Sequence, residues 1–290
     1  MSYKSIQYET DDRIATIRLY RPEVLNAIDF NIPSEIEAAV KAANDDPAIH
    51  VIVLEGAGRA FCAGYDLKLY AEIEGPNPGV QDMPWDPMID FKLMYANTQC
   101  FMSLWRSYKP TIAKVHGYAI AGGSDIVTCC DLIVMADDAQ IGYPPARVFG
   151  CPSVGMWVYR VGAQVAKRLL FTGDLIDGKT AKDYGLALEA VPATDLNHTV
   201  RTLAERIAGV PKNQLMMHKL MINGAIDNMG LNSTQHMATL FDGITRHSPE
   251  GLWWKERAEQ VGFLKAVQER DSGEPIAAQA EKSVPPLPRD

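Results

Sequence analysis

The sequence predicts an α/β protein with a helical C-terminal region, and two observations carry this prediction. Over about the first two-thirds of the chain, short strand-like runs alternate with segments that repeat apolar residues at helical spacing. From about residue 195, strand patterns stop and only helical patterns follow. We therefore expect a core at 1–194 and a helical region at 195–271. The polar, proline-rich segment 272–290 predicts a disordered tail.

The first elements show both periodicities. Residues 14–20 (IATIRLY) alternate between two faces, which is typical of a half-buried strand, and residues 49–56 (IHVIVLEG) form a largely apolar run typical of a buried strand. Between them, Pro33 opens a segment whose apolar residues recur at helical spacing. Further strands are predicted at 111–119, 131–136 and 139–143.

Residues 75–90 (GPNPGVQDMPWDPMID) contain four prolines and two glycines, and they predict a long irregular loop before a helix at about 91–107. Met83, Trp85 and Met88 are apolar residues among turn formers. One hypothesis is that this loop forms a lid over a ligand pocket; the alternative is a surface loop without that role.

The C-terminal region predicts helices at 195–209, 211–228, 232–246 and 248–269. Its aromatic residues exceed what one small helical layer could bury, so we expect part of this set to serve subunit packing. The set consists of Phe241, Trp253, Trp254 and Phe263.

Composition excludes several functional classes. The formal net charge is −8, with 36 acidic and 28 basic side chains, which argues against general binding of nucleic acid. No apolar run approaches the roughly 20 residues of a membrane helix. The five cysteines are scattered without metal-ligand spacing, so we expect reduced thiols in a cytoplasmic protein and no metal site.

Two segments with small residues follow predicted strands. They are residues 60–68 (AFCAGYDLK) and 116–126 (HGYAIAGGSDI). Glycine lets a ligand approach the main chain, and a helix start leaves backbone N–H groups available to negative charge. Neither segment matches the phosphate-loop or the dinucleotide fingerprint, and each alone could be a structural turn.

In order along the chain, four segments together resemble the enoyl-CoA hydratase/isomerase, or crotonase, superfamily. They are RPEVLNAI (21–28), the two segments above, and LLFTGDLIDGKTAKDYGLALEAVP (169–192). The resemblance covers roughly residues 10–270. It implies a spiral of repeated ββα units, and a C-terminal helical region that forms a homotrimer or a dimer of trimers. It also implies acyl-CoA thioester substrates, so coenzyme A belongs to the substrate and no separate cofactor is expected.

The same resemblance implies which residues bind the substrate. The backbone N–H groups of Tyr65 and Gly122 match the oxyanion hole, which stabilises negative charge on the thioester oxygen. The other residues expected to contact the substrate are Val24, Ala27, Ala63, Asp66, Leu67, Gly123 and Pro144.

Hydratases of this family use two glutamates, and here the matching positions hold Asp125 and Pro145. Asp125 is shorter than glutamate by one methylene, and Pro145 cannot transfer a proton. This departure argues against ordinary two-carboxylate hydration. Tyr143 and Arg147 flank Pro145 at i−2 and i+2, so in an extended segment they would lie on its side and assist Asp125. Structural roles for Tyr143, Arg147 and Asp66 remain open alternatives.

Two classes of function follow from the resemblance. The first is an enzyme acting through a thioester enolate, by hydration, double-bond isomerisation or hydrolytic C–C cleavage of a cyclic β-dicarbonyl CoA ester. The second is a non-catalytic acyl-CoA binding protein that retains the oxyanion hole. A hydrolytic triad of His116, Ser124 and Asp125 is disfavoured, because sequence proximity alone does not establish triad geometry.

Overall fold

Two β-sheets organise the computed structural model, which describes residues 3–70, 81 and 83–272. The strands are β1 (Ile6–Asp11), β2 (Ile14–Leu19), β3 (Val51–Gly56), β4 (Thr111–Val115), β5 (Tyr118–Ile120), β6 (Leu132–Ala136), β7 (Gln140–Gly142), β8 (Leu175–Asp177) and β9 (Glu189–Val191).

The helices of the N-terminal two-thirds are α1 (Ile32–Asp45), α2 (Leu67–Tyr70), α3 (Pro87–Arg106), α4 (Gly122–Thr128), α5 (Trp157–Thr172) and α6 (Gly178–Asp183). The C-terminal helices are α7 (Leu196–Ala208), α8 (Lys212–Asp227), α9 (Leu231–His247), α10 (Pro249–Val261) and α11 (Phe263–Asp271). Short 3-10 helices form at Pro22–Val24 and Pro144–Arg147.

The larger sheet has the order β1-β2-β3-β4-β6-β9, and its pairs are parallel except for the antiparallel pair of β1 and β2. Every residue of the β3 segment VIVLEG is buried, as expected for a central parallel strand covered on both faces. Helix α7 packs against β3, β4 and β6. The smaller sheet has the order β5-β7-β8.

The predicted strand 111–119 is two strands that belong to different sheets. Gly117 separates them with φ +58°, and a Cβ there would lie 2.1 Å from the carbonyl oxygen of Arg59. Only glycine permits this close approach of the two backbones. The turn lets β5 leave the large sheet and run beside residues 60–62.

That change of sheet brings the two glycine-bearing segments together. The N–H of Cys62 donates to Tyr118 O at 2.8 Å, and the N–H of Ile120 donates to Cys62 O at 3.0 Å. These bonds form an isolated parallel β-bridge between Cys62 and Ala119, and a second isolated β-bridge pairs Tyr65 with Ile28. Residues that are far apart in sequence therefore share one edge of the fold, at the start of α4.

The C-terminal helices differ from the prediction in one respect. The single helix expected at 248–269 is two helices, α10 and α11, because Gly262 adopts φ 84° and ψ 144° and ends the first. A hydrophobic cluster separate from the main core forms around this break. It contains Val148, Trp254, Ala258, Phe263 and Ala266.

This cluster corrects part of the oligomerisation prediction. Trp254 and Phe263 are buried within the chain, where the Trp254 ring packs on the rings of Phe149 and Phe263. These two aromatic side chains are therefore not free to form a subunit interface. Phe241, in contrast, is exposed on α9.

Residues 75–80 and 82 of the predicted lid lie outside the described residues. In the remainder, the Trp85 ring stacks on His247 with centroids 4.4 Å apart, while Met83 and Met88 are exposed. Among the described residues, no helix combines the length and the hydropathy that crossing a membrane requires.

Candidate active site

A cavity of about 270 Å³ lies where the two glycine-bearing segments meet the C-terminal helices. Side chains from 63–70 and 120–125 form one wall, and side chains from 143–153 form a second. Residues of α9, α10 and α11 close the third side. The helical C-terminal region thus contributes directly to the cavity.

The first wall presents backbone amides. In the part of the chain that the structure describes, no backbone hydrogen bond uses the N–H of Tyr65 or of Gly122. Gly122 is the first residue of α4, so its N–H has no intrahelical acceptor. A Cβ on Gly64 would lie 3.6 Å from the Gly122 nitrogen, which places the two turns side by side.

The Gly122 turn is held in a strained conformation. Ala121, which precedes it, adopts φ 52° and ψ −123°, a region that side-chain-bearing residues rarely occupy. A Cβ on Gly122 itself would lie 2.7 Å from Ile28 Cδ1 and 2.9 Å from the Tyr65 ring. The local packing therefore requires glycine at 122 and fixes the amide at this point.

Asp125 lies in the first turn of α4 and lines the cavity. Its side chain is buried, and its Oδ1 has no hydrogen-bond partner among the described residues. Burial raises the pKa of Asp125 well above its usual range, and the nearby charge of Asp242 raises it further. Both effects favour the protonated form of the carboxyl group, which is the form that can donate a proton.

Asp242 is a second carboxylate in the same cavity, contributed by α9. Its Oδ1 accepts the N–H of Cys151 at 3.0 Å, and its Oδ2 is paired with the Arg246 guanidinium one helical turn later. Arg246 also lines the cavity, and its Nη2 donates to Asp90 Oδ1 of α3 at 2.6 Å. This cluster ties α9 to α3 and to the second wall.

The second wall is organised around Cys151. The Tyr143 hydroxyl donates to Cys151 O at 3.0 Å, and burial raises the pKa of Tyr143 well above its usual range. A Cβ on Gly150 would lie 2.6 Å from Pro145 Cβ and 3.4 Å from the Tyr143 hydroxyl. Tyr143 and Pro145 both line the cavity, so Pro145 presents an apolar ring where the family resemblance implied a carboxylate.

The predicted orientation of Arg147 is wrong. The prediction assumed an extended segment, but residues 144–147 form a 3-10 helix, in which i and i+2 do not share a side. Arg147 Nε donates to Thr172 O at 2.8 Å, and its guanidinium pairs with Asp174 and Asp271. It anchors the end of α11, and it is not among the residues that line the cavity.

The other predicted binding residues divide into two groups. Ala63 and Leu67 line the cavity. Asp66 accepts a hydrogen bond from Arg21 at 3.0 Å, and Arg21 also donates to Ala27 O at 2.6 Å, so this ion pair fixes the turn at its rim. Val24 is partly exposed beside it.

Gly123 and Pro144 shape the backbone. A Cβ on Gly123 would lie 2.3 Å from Cys62 O, and Pro144 begins the 3-10 helix of the second wall. His116 contacts Gly58 O, and the Ser124 hydroxyl donates to Ala121 O at 2.7 Å; among the described residues, neither side chain is hydrogen-bonded to the Asp125 carboxyl group. The contacts of these two side chains do not form a hydrolytic triad. No group of metal-ligand side chains occurs among the described residues.

Sequence reasoning missed Asp242, Arg246 and the cavity position of Trp254. The i, i+4 spacing of Asp242 and Arg246 predicts an ion pair on a helix, but an ion pair on a solvated face would have the same spacing. Nothing local in the sequence indicates that α9 reaches the cavity, because that contact depends on the packing of α9 against α3.

Comparison with known proteins identifies relatives that all belong to one family. Residues 9–260 match the family model described as enoyl-CoA hydratase/isomerase. The chain is 30% identical to "Probable enoyl-CoA hydratase" of Mycobacterium bovis over 98% of both proteins. It is 30% identical to "Crotonyl-CoA hydratase" of Syntrophomonas wolfei, over 93% of this chain and 97% of that protein. A solved structure of an enoyl-CoA hydratase from Mycobacterium smegmatis superposes with a TM-score of 0.88 at 46% identity, covering 93% of this chain and 94% of that one.

Proposed function

The chain is an enzyme of the enoyl-CoA hydratase/isomerase family with the crotonase fold, and we propose that it acts on a 2-enoyl-CoA thioester through an enolate. The observation that carries this proposal is a buried carboxyl group of raised pKa in a cavity lined by Tyr65 and Gly122, whose N–H groups make no backbone hydrogen bond among the described residues. Such a site can hold a thioester oxygen and deliver a proton to the adjacent carbon.

The amides of Tyr65 and Gly122 form the oxyanion hole in this proposal. Negative charge moves onto the thioester oxygen as the enolate forms, and two fixed N–H donors stabilise it without reorganisation. The loss of one such donor typically costs about 3–4 kcal/mol of barrier. The strained Ala121 turn and the tight packing of Gly122 support this role, because they hold the amide rigidly.

Asp125 is the proposed proton donor. It lies three residues after Gly122 on the same helix, so a thioester held at the Gly122 amide places its α-carbon near the carboxyl group. The raised pKa favours the protonated form of Asp125, which can donate to the enolate. In the reverse direction, the Asp125 carboxylate removes an α-hydrogen.

The apolar part of the cavity is suited to an apolar acyl group. Leu67, Met94, Phe149, Trp254 and Val267 line it. Coenzyme A belongs to the substrate and would lie along the rim at 24–27 and 63–67, largely against backbone groups. These contacts are local, which explains how a chain of net charge −8 could bind a phosphate-bearing ligand.

Asp125→Asn tests the proposal. The variant keeps the shape of the side chain and removes its titrating proton, so turnover of 2-enoyl-CoA thioesters should fall by about 10²-fold or more. Binding of acetoacetyl-CoA, measured by calorimetry, should stay within about threefold of wild type, because the amides remain.

Ser124→Ala is the matched control, since Ser124 is the neighbouring buried residue and its hydroxyl donates to Ala121 O, its one hydrogen bond among the described residues. It should leave turnover within a few-fold of wild type. Full activity in the Asn variant would assign proton transfer to another group. An absence of saturable acetoacetyl-CoA binding in wild type at millimolar ligand would contradict the acyl-CoA proposal itself.

A further inference from the structure

Asp242 lies close to the place where the family resemblance puts a second carboxylate. Its Oδ1 accepts the N–H of Cys151, the residue whose carbonyl oxygen accepts the Tyr143 hydroxyl. The preceding residue, Gly150, approaches Pro145 so closely that an added Cβ would lie 2.6 Å from Pro145 Cβ. Asp242 therefore shares one small cluster with Pro145, although it comes from a different region of the chain.

Asp125 and Asp242 both line the cavity, and each is buried. We propose that Asp242 is the second catalytic carboxylate of this enzyme, supplied by helix α9 in place of residue 145, and that it accepts a proton from the attacking water. This inference rests on the proposed function, since it assigns the partner of Asp125 in the same reaction. It restores the two-carboxylate hydration that Pro145 alone argued against.

The surroundings of the two carboxyl groups differ in the way that an acid and a base require. Asp242 receives a hydrogen bond from the Cys151 amide and one from Arg246, and both stabilise an ionised carboxylate. Asp125 Oδ1 has no partner within the described residues, and its charged form is disfavoured by burial and by Asp242. One carboxyl group is thus held by two hydrogen-bond donors while the other has an oxygen without a partner, and this asymmetry is the basis for assigning the base and the acid.

The charged and titratable groups around Asp242 come from several elements, and they include Tyr65 of the first wall. Arg246 lies on its own helix, Asp90 on α3, Asp125 on α4, and Tyr143 and Cys151 on the second wall. Burial raises the pKa of the Cys151 thiol to about 12, so this thiol is neutral near pH 7. Arg246 is a positive charge of the cluster, and it already has a carboxylate partner in Asp90 at 2.6 Å.

A purely structural role does not explain this arrangement well. Arg246 could be neutralised by Asp90 alone, and burying the charge of a further carboxylate costs free energy and disfavours ionisation of Asp125 beside it. Clusters of this kind concentrate at functional sites, where the cost is offset by catalysis. The position of Asp242 on the cavity surface, facing the substrate volume, fits that interpretation.

In the proposed hydration, each of the two carboxyl groups transfers one proton. Asp242 takes one proton from water while the water oxygen forms a bond to the β-carbon of the 2-enoyl thioester. The C=C electron pair moves to give the enolate, whose oxygen is held at Tyr65 and Gly122. Asp125 then gives its proton to the α-carbon. The enzyme is left with Asp242 protonated and Asp125 ionised, and proton exchange through solvent on product release restores the starting state.

Two assays on one set of proteins test this assignment. Hydration of crotonyl-CoA requires both carboxyl groups, whereas exchange of the α-hydrogen of butyryl-CoA for deuterium in D₂O requires only the oxyanion hole and Asp125. Asp242→Asn should lose at least about 100-fold in hydration and keep exchange within about fivefold of wild type. Asp242→Glu, which restores a carboxylate, should recover part of the hydration.

The pH profile of α-hydrogen exchange is a second measurement. If Asp242 had only a structural role, its substitution would not shift this profile. Exchange rises as Asp125 ionises, and removing the charge of Asp242 lowers the pKa of Asp125, so the rise should occur at lower pH in Asp242→Asn. Asp90→Asn removes a carboxylate from the same ion-pair cluster but lies outside the cavity lining. It should cost far less hydration and leave the pH profile of exchange in place.

The outcomes separate the two proposals. The role of Asp242 would be overturned if Asp242→Asn hydrated crotonyl-CoA within about threefold of wild type. It would also be overturned if wild type exchanged α-hydrogen but hydrated no 2-enoyl thioester. Either result would leave the enolate proposal standing. A wild type that neither exchanges nor hydrates would overturn both. If Asp242→Asn does not fold, folded Asp242→Glu decides: measurable hydration supports the assignment, and exchange without hydration overturns it.

Discussion

Asp125 combines two properties that oppose each other at the scale of the single residue. Its burial without a partner for Oδ1 makes it a good proton donor, and the same burial makes its ionised form costly to the folded state. Removing its charge should therefore harm catalysis and help stability at higher pH, which is the usual compromise at an active site.

The stability of Asp125→Asn relative to wild type should increase as pH rises. An unfolded aspartate has a pKa of about 3.9, and the pKa of Asp125 in the folded protein is well above that value. Below about pH 4 the group is protonated in both states, so its full contribution to stability is present. As pH rises, the unfolded chain releases the proton first, so wild type loses stability until Asp125 ionises in the folded state.

Urea unfolding of both proteins between pH 5 and pH 8 measures this effect. The difference in free energy of unfolding should change in favour of the Asn variant by up to about 1.4 kcal/mol per pH unit. A difference that stays constant across this range would show that Asp125 does not titrate abnormally in the folded protein.

At the scale of elements, the break between α10 and α11 positions one side of the cavity. Val267, Arg270 and Asp271 of α11 line it, and Arg147 holds Asp271 through an ion pair of 3.5 Å. A continuous helix would carry these residues away along the axis of α10. Gly262 therefore has a conformational role that its place inside a helical pattern does not reveal.

Gly262→Ala should destabilise the protein by at least about 1 kcal/mol, because a side chain disfavours its φ of 84°. A Cβ at this position meets no heavy atom within 4 Å, so the loss would come from backbone conformation alone. Gly224→Ala is a matched control: its Cβ is equally free, but it lies inside α8 with ordinary helical geometry.

The control should be stabilised by about 0.5–1 kcal/mol, the usual gain of alanine over glycine within a helix. Thermal or urea unfolding of the two variants would show opposite signs. Stabilisation by both substitutions would mean that α10 and α11 can join into one helix.

At the scale of the whole molecule, helices α8 and α9 leave a broad apolar surface. Its exposed side chains are Met217, Leu220, Met221 and Ile222 on α8 and Met237, Leu240, Phe241 and Ile244 on α9. Exposed apolar side chains of this number on two successive helices are typical of subunit interfaces. A homotrimer or dimer of trimers remains the prediction for this chain, with these helices as its interface.

Sedimentation analysis should give three or six times the chain mass of 32.0 kDa. Met221→Glu places a charge on the proposed interface, where Met221 is 68% exposed in the single chain, and should shift the mass towards monomer. Phe171→Glu, at a residue 79% exposed on α5, outside these two helices, should leave the assembly intact. A monomer in wild type at micromolar concentration would contradict the prediction.

Much of the fold could be predicted from the sequence because its signals are local. Alternation in 14–20, the apolar run 49–56 and the helical spacing after Pro33 all match observed elements, since side-chain burial follows backbone periodicity. The strand 111–119 was predicted without its division at Gly117. Its change of sheet depends on the close approach of the Arg59 carbonyl, which is a contact between distant parts of the chain.

The candidate site was likewise predictable only where it depends on local sequence. The family and the two glycine-bearing segments could be identified from local sequence, because backbone recognition requires small residues at fixed local positions. The sequence also showed that residue 145 cannot transfer a proton. Only the tertiary structure turned Arg147 away towards Asp271 and brought Asp242 and Trp254 into the cavity. Asp242 and Trp254 reach the site through the packing of α9 and α10. Helical spacing in a sequence indicates which face of a helix is buried, but it does not indicate which other element covers that face.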